Sequence, residues 1–475
     1  MGGAAMVVEQ SRIARALNPR SVVVVGDKGP NYGWLTNQQE FEGALYSVQV
    51  DPAEIAGIVE RGFTNFTSLA EVPGEIDLVI CVVPRQVAPR IIADAAARSV
   101  GGVAMFTAGF AETKEPLGIE LQERIVQIAT DAGMAIIGPN CMGVYNRRLG
   151  VRFSAELAHA PGGNVAYVSQ SGSVASGITV ESQAVGLEVS RTISSGNAAV
   201  LNEADYLEYL AGDADTQYIG MYIEGLQDGR RFFAQLREVT RRKPVVIFKG
   251  GSNAVGAQAT DSHTGSLGTP PAIWEAMVRQ AGAISVATRE ELIDTMAALV
   301  RAPAPRGTRM VLLAGTGGSS VAIADAAGRA GLSAPGFSAE SAGRLSEFFN
   351  TVGGSYGNPL DMGSTVGMRG AEGNLARILD IVGGEAGFDG AIYQMGMGGR
   401  RDPERQERTL RAVDAFRDAW GKPVLMVCAP GTNLEAWQEV WRELVAHGYA
   451  VYASFDRAAQ AYARSAWYWG ERLSR

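Results

Sequence analysis

Between residues 20 and 150, short apolar runs alternate with amphipathic stretches, and that alternation leaves the chain few ways to fold. The runs are SVVVVG (21–26), ALYSVQV (44–50), DLVICVV (77–83), GGVAMFT (101–107) and MAIIG (134–138). A strand with one wet face alternates polar and apolar residues, so near-continuous apolar runs mean burial on both faces. Segments such as VAPRIIADAAARS (87–99) and LGIELQERIVQIATDAG (117–133) lie between the runs and read as helices. Buried strands separated by helices make a doubly wound parallel sheet, whose ligands sit beyond the carboxyl ends of the strands. Here those ends are small-residue turns: GDKGPNYG, PRQ, AGFAE and GPNCMG. A nucleotide-like ligand is expected at that edge. Gly26, Gly29 and Gly33 do not have GxGxxG spacing, which disfavours an NAD site.

Composition narrows the partners. Lys and Arg number 42 against 50 Asp and Glu, a formal charge of −8, and no basic cluster of five or more occurs. Nucleic acid and anionic membrane are therefore not expected partners. Cys81, Cys141 and Cys428 are too far apart for a CxxC metal pattern or a disulfide framework, which fits a reducing cytoplasm. The start, MGGAAMVVEQSR, lacks the basic and apolar regions of a signal peptide. No apolar run approaches the roughly 20 residues that span a bilayer. A cytoplasmic location is the expectation.

Residues 151–163 (VRFSAELAHAPGG) read as a linker with His159 solvated in it. A second α/β unit over 164–300 offers NVAYVS, SRTISS, YIGMYIEG and PVVIFKG as strands. In VAYVSQSGSVASGI (165–178) a Ser/Gly turn leads from strand to helix. Free N–H groups at that helix N-terminus make a site for phosphate or carboxylate. A third unit, after PAPRGTR (303–309), repeats the second. VLLAGTGGSSVAIA (311–324) matches VAYVSQSGSVASGI, and KPVLMVCAPGTN (422–433) matches KPVVIFKGGSN (243–253). One copy differs. Residues 254–269 are inserted after KPVVIFKGGSN, and they contain His263, one of three histidines. Its neighbours Asp261, Ser262, Thr264, Gly265 and Ser266 are too small and polar to bury an imidazole. His447, before Gly448, is expected to end a helix and interact with its dipole.

Three features of the second unit fall at the carboxyl edge of one sheet: SQSGS, Glu224 and the His263 loop. A carboxylate beside an imidazole fixes its tautomer and stabilises its charged form, leaving one nitrogen free to attack. The helix N-terminus at Ser171, Gly172 and Ser173 would cradle the resulting phosphoryl group. No metal-ligand set or Ser–His–Asp arrangement is visible.

GPNCMGVYN (138–146), VSQSGSVASGI (168–178), YIEG (222–225), SHTGSLG (262–268) and NPLDM (358–362) resemble signatures of NDP-forming acyl-CoA synthetases. More narrowly, they resemble the alpha-type chain of the ADP-forming acetyl-CoA synthetases, relatives of the succinyl-CoA synthetase alpha subunit. The resemblance covers almost the whole chain. It implies a Rossmann-like CoA-binding domain (1–150), a ligase domain with the histidine loop (151–302) and a second flavodoxin-like ligase domain (303–475). It implies that His263 is the phosphohistidine and Glu224 its stabilising partner, with SQSGS on the phosphoryl group. CoA would be held by strand-end residues of the first domain: Gly26, Asp27, Lys28, Val83, Pro84, Thr107, Asn140 and Cys141. The first loop, GDKGPNYGW (26–34), departs from the family's GAS-type loop with its Lys-Val-Gly stretch. No stretch remains for an ATP-grasp module, so a beta-type subunit with Mg-ATP is the expected partner, with inorganic phosphate, CoA and a small carboxylic acid as reactants. Two alternatives stay open: a non-catalytic acyl-CoA-binding or regulatory subunit, and a phosphate-using acyl- or carbamoyltransferase.

Overall fold

The computed structural model describes residues 8–253, 255–256, 270–315, 319–352, 354–367, 370–395 and 402–473. His263 and the rest of SHTGSLG lie outside the described residues.

Ser21–Val25 (β1), Ala44–Val48 (β2), Asn65–Phe66 (β3), Leu78–Cys81 (β4), Gly102–Met105 (β5) and Ala135–Ile137 (β6) form a parallel sheet in the order β3-β2-β1-β4-β5-β6. Every residue of β1, β4, β5 and β6 is buried, which is why these runs are apolar from end to end. The strand order reverses between β1 and β4, and a crevice opens at such a reversal.

A second sheet contains Gly143–Asn146 (β7), Val165–Ser169 (β8), Val189–Ser194 (β9), Tyr218–Ile223 (β10), Val245–Lys249 (β11) and Ile284–Val286 (β12), in the order β12-β11-β10-β8-β9-β7. From β8 onward this is the flavodoxin order, reversing between β8 and β10. The edge strand β7 runs antiparallel to β9. GPNCMGVYN therefore serves both sheets: its turn closes the carboxyl edge of the first, and GVYN extends the second.

Met310–Ala314 (β13), Leu360–Asp361 (β14), Gly390–Gln394 (β15), Val424–Val427 (β16) and Val451–Tyr452 (β17) form a third parallel sheet in the order β14-β13-β15-β16-β17. It has the topology of the second without the extra edge strand, so the repeat seen in the sequence is a repeat of fold. All three sheets are doubly wound α/β sheets. The repeats differ where the sequence suggests: β16 is followed closely by the helix Leu434–Ala446, whereas in the second unit the helix Pro271–Ala281 begins beyond the inserted stretch. His447 is the C-cap of Leu434–Ala446, with Gly448 following at φ 86°, as expected for a helix-ending histidine.

Packing divides the chain into two compact bodies, Met1–Ala184 with Glu188–Ala287, and Val185–Leu187 with Thr288–Arg475. In the first body one hydrophobic core joins both sheets, with Val22, Val24 and Ile80 in the same cluster as Val168, Ile193 and Met221. In the second body the helix Arg289–Arg301 packs on Phe455–Leu473, pinned by Arg457, whose guanidinium reaches both Asp294 oxygens at 2.6 and 2.8 Å.

The segment expected to be a linker is partly core. Val151, Arg152, Phe153 and Leu157 are buried, and Gln38 Oε1 accepts from Arg152 N at 3.0 Å. His159 is correspondingly partly covered rather than fully solvated: its side chain is 21% exposed, and its two ring nitrogens lie 3.6 Å from Glu40 and from Glu42. No helix among the described residues is long and apolar enough to cross a membrane.

Candidate functional site

The carboxyl ends of β1, β4, β5, β6 and β8 converge on a cavity of about 570 Å³ within the first body. Six residues expected at a CoA site line it: Lys28, Val83, Pro84, Thr107, Asn140 and Cys141. So do Ser171, Gly172 and Ser173, expected to hold phosphate. The turn from the second sheet thus faces the ligand edge of the first, across one cavity.

Local chemistry shapes each wall. The Thr107 hydroxyl donates to Val83 O at 2.8 Å and ties the β5 turn to the β4 turn. Asn140 has φ 57°, a left-handed conformation that Asn tolerates better than most residues. Cys141 is 3% exposed, and burial pushes its thiol up to about 12, so it is no nucleophile at neutral pH. Ser171 Oγ lies 3.2 Å from Ser173 Oγ at the start of the helix Gly172–Ala184. The first N–H groups of that helix have no intrahelical acceptor, and two hydroxyls stand beside them. Met142 packs on Gly172, where a Cβ would come within 2.9 Å of Met142 Cγ.

Gly26 and Asp27 do not line the cavity; they stand behind its wall. A Cβ on Gly26, which has φ 88°, would lie 2.6 Å from Val83 Cγ1, so glycine lets the β1 and β4 turns meet. Asp27 is 4% exposed, and its carboxylate accepts from Lys28 N at 3.0 Å and Leu35 N at 2.8 Å. Those bonds shape the loop, and burial lifts its carboxyl above the ordinary range. The loop that departs from the family pattern is well anchored. Tyr32 fills a hollow over Gly57, where a Cβ would clash with its hydroxyl at 2.2 Å. The Arg61 guanidinium lies 4.7 Å from the Tyr32 ring centre. Trp34 leans on Phe106, with ring centres 4.8 Å apart, and Phe106 lines the cavity.

Glu224 follows β10 and is 5% exposed. It does not line the cavity, but Gln170, which does, bonds to its backbone N–H. Tyr222 OH donates to Glu224 Oε1 at 3.1 Å, and Lys249 Nζ donates to Glu224 O at 2.7 Å. Gln170 lies inside SQSGS but carried no role of its own in the sequence, and neither did Glu203 or Lys249. Each is a polar residue at an element end, where solvation is the ordinary expectation.

In comparison with known proteins, a family model described as the succinyl-CoA ligase like flavodoxin domain matches residues 162–299. A CoA binding domain model matches residues 20–147. The chain is 34% identical to the alpha subunit of acetate–CoA ligase (ADP-forming) II of Pyrococcus furiosus, covering 94% of this chain and 96% of that one. It is also 34% identical to acetate–CoA ligase (ADP-forming) I of Archaeoglobus fulgidus over 73% of this chain, but spans only 50% of that longer protein. In fold it is similar to the dinucleotide-forming acetyl-coenzyme A synthetase 1 of Ca. Korarchaeum cryptofilum, solved in complex with phosphate and ADP. That match has a TM-score of 0.84, 24% identity and 98% coverage of both chains. With both domain types in order and near-complete coverage of an alpha subunit, this chain belongs to the NDP-forming acyl-CoA synthetase family.

Proposed function

We propose that this chain is the alpha-type half of an ADP-forming acyl-CoA ligase. The observation that carries the reading is the shared cavity, where the ligand edge of a CoA-binding sheet meets the Ser171–Ser173 turn of a ligase sheet. CoA, a long polyanion with an apolar-linked thiol, suits that cavity. Lys28 and Arg85 offer cations, while Val83, Pro84 and Phe106 offer apolar wall.

In this reading a partner chain of the ATP-grasp type binds most of Mg-ATP. An imidazole nitrogen of His263 takes the γ-phosphoryl group, and ADP leaves. The carboxylate oxygen of the acid then takes the phosphoryl group from His263, giving an acyl phosphate. The CoA sulfur attacks the acyl carbon, and inorganic phosphate leaves. Two phosphoryl transfers replace one difficult condensation. The helix N-terminus at Ser171–Ser173 offsets phosphoryl charge, since such transfers need chiefly positioning and charge neutralisation. Glu224, fixed through its backbone by Gln170 and Lys249, orients the imidazole. Lys28, Val83, Pro84, Thr107, Asn140 and Cys141 contact CoA, with Gly26 and Asp27 shaping the loop behind them. The alpha-subunit naming of the Pyrococcus relative supports a separate partner chain.

The test combines the purified chain with an ATP-grasp chain, Mg-ATP, CoA and a panel of carboxylic acids. Acid-dependent formation of ADP and acyl-CoA is expected. CoA binding without turnover of any acid would favour a binding subunit instead.

A further inference from the structure

We propose that Gln170 is a positioning residue that sets the Glu224 turn against the Ser171–Ser173 turn, and that Glu203 joins the backbone of that turn in holding its amide. This rests on the ligase reading above. Gln170 directly follows β8, and its backbone N–H donates to Tyr222 O at 3.2 Å. Its side chain crosses to the end of β10. Oε1 accepts from the backbone N–H groups of Glu224 and Gly225. Nε2 donates to Gly225 O and to Glu203 Oε1, each at 2.8 Å.

A side-chain amide has two donor hydrogens and two acceptor lone pairs, and here all four are used. Gln170 borders the cavity with nothing left to offer a ligand, so its role is to brace. Turning the amide round would set its NH₂ against two N–H donors and its oxygen against a carboxylate. The backbone groups of Glu224 and Gly225 exclude that arrangement, and so does Glu203. It is 1% exposed, and Ser195 Oγ, from the turn after β9, also donates to it at 3.4 Å. The turns after β8, β9 and β10 are thereby held as one piece. A misplacement of about 1 Å in a reacting constellation costs on the order of 10²-fold in rate, so a brace of this kind matters for the carboxylate it carries.

The experiment labels the chain with radioactive phosphate and an acyl-CoA, alone and then with the ATP-grasp chain added. CoA affinity is followed by calorimetry. Gln170→Ala is expected to slow labelling roughly tenfold to hundredfold while leaving the CoA Kd unchanged. In that background Glu224→Gln should cost far less than in the native chain, because a misplaced carboxylate has already lost its effect. Gln170→Glu should also be slow, since it sets a carboxylate oxygen against Gly225 O and Glu203 Oε1. It keeps the size of the side chain, so the test stays open if Gln170→Ala fails to fold. Native-rate labelling by Gln170→Ala or Gln170→Glu, or losses that simply add, would overturn the proposal. An unlabelled native chain in both arms would instead remove the ligase reading on which it rests.

Discussion

Lys249 Nζ donates to Glu224 O at 2.7 Å, joining the end of β11 to the end of β10. Lys249 is 6% exposed, and its Nζ also donates to Gly250 O. One ammonium thus ties the root of the histidine-bearing stretch to the root of the proposed stabilising carboxylate. Burial lowers its pKa from the ordinary value of 10.5, and the Glu224 carboxylate opposes that shift.

Lys249→Met keeps the unbranched side chain, one atom shorter, and removes the donor. Two buried carbonyl groups then lose a partner, at a cost of about 1–3 kcal/mol for each group left unsatisfied. A lower unfolding midpoint is expected, with slower phosphate labelling of the chain. Native values for both would show that the tie carries no weight.

Gly26→Ala places a methyl group 2.6 Å from Val83 Cγ1 at a residue with φ 88°. The left-handed backbone costs roughly 1–2 kcal/mol for a non-glycine residue, and relieving the contact moves the β4 turn. Weaker CoA binding by calorimetry and a lower unfolding midpoint should appear together. Unchanged CoA affinity would mean that the β1 and β4 turns do not shape the site.

Glu203 makes a pH prediction. Burial lifts its carboxyl above the ordinary value of 4.5, with the nearby Asp205 adding to the rise and bonds from Gln170 and Ser195 opposing it. The folded chain keeps this proton in a range where the unfolded chain has released it. Its contribution to stability is therefore full below about 4.5 and is lost as pH rises through the folded value. Glutamine has no such proton. The stability of Glu203→Gln relative to the native chain should rise with pH above that range and then level off, measured by urea unfolding at several pH values. A flat difference would mean the carboxyl is not perturbed.

The thiols make another. Burial pushes Cys81 to about 11, Cys141 to about 12 and Cys428 to about 11, and all three are buried. A thiol reagent at pH 8 should titrate none in the native chain and all after unfolding. Rapid labelling of Cys141 in the folded chain would show that the cavity opens onto a reactive sulfur.

Much of the fold was legible because burial on both faces leaves a plain mark. The valines of β1 and the small-residue turns after β4, β5 and β6 announce a parallel sheet and its ligand edge. The repeated KPV segments announce the second and third sheets. What stayed hidden depends on contacts between distant residues. Nothing in GVYN says that it leaves the first sheet to pair antiparallel with β9. Val151 and Phe153 sit among polar residues yet are buried, so a core segment read as a linker. In the site, SQSGS and Glu224 were visible as strand-end chemistry. The resemblance carried Asp27 over as a CoA contact; two backbone N–H groups bond to its carboxylate, and it does not line the cavity. The Gln170–Glu203 pair has no periodicity and spans two elements, so only the folded backbone reveals it.

The central claim is a phosphoryl group carried on His263 and stabilised by Glu224. The measurement that reaches it most directly incubates the chain with labelled phosphate and a panel of acyl-CoAs, beside His263→Asn and Glu224→Gln. The account predicts acid-labile, alkali-stable label on the native chain, none on His263→Asn, and slower or weaker label on Glu224→Gln. Label that survives in His263→Asn, or a native chain that stays blank even with the ATP-grasp partner present, would contradict it.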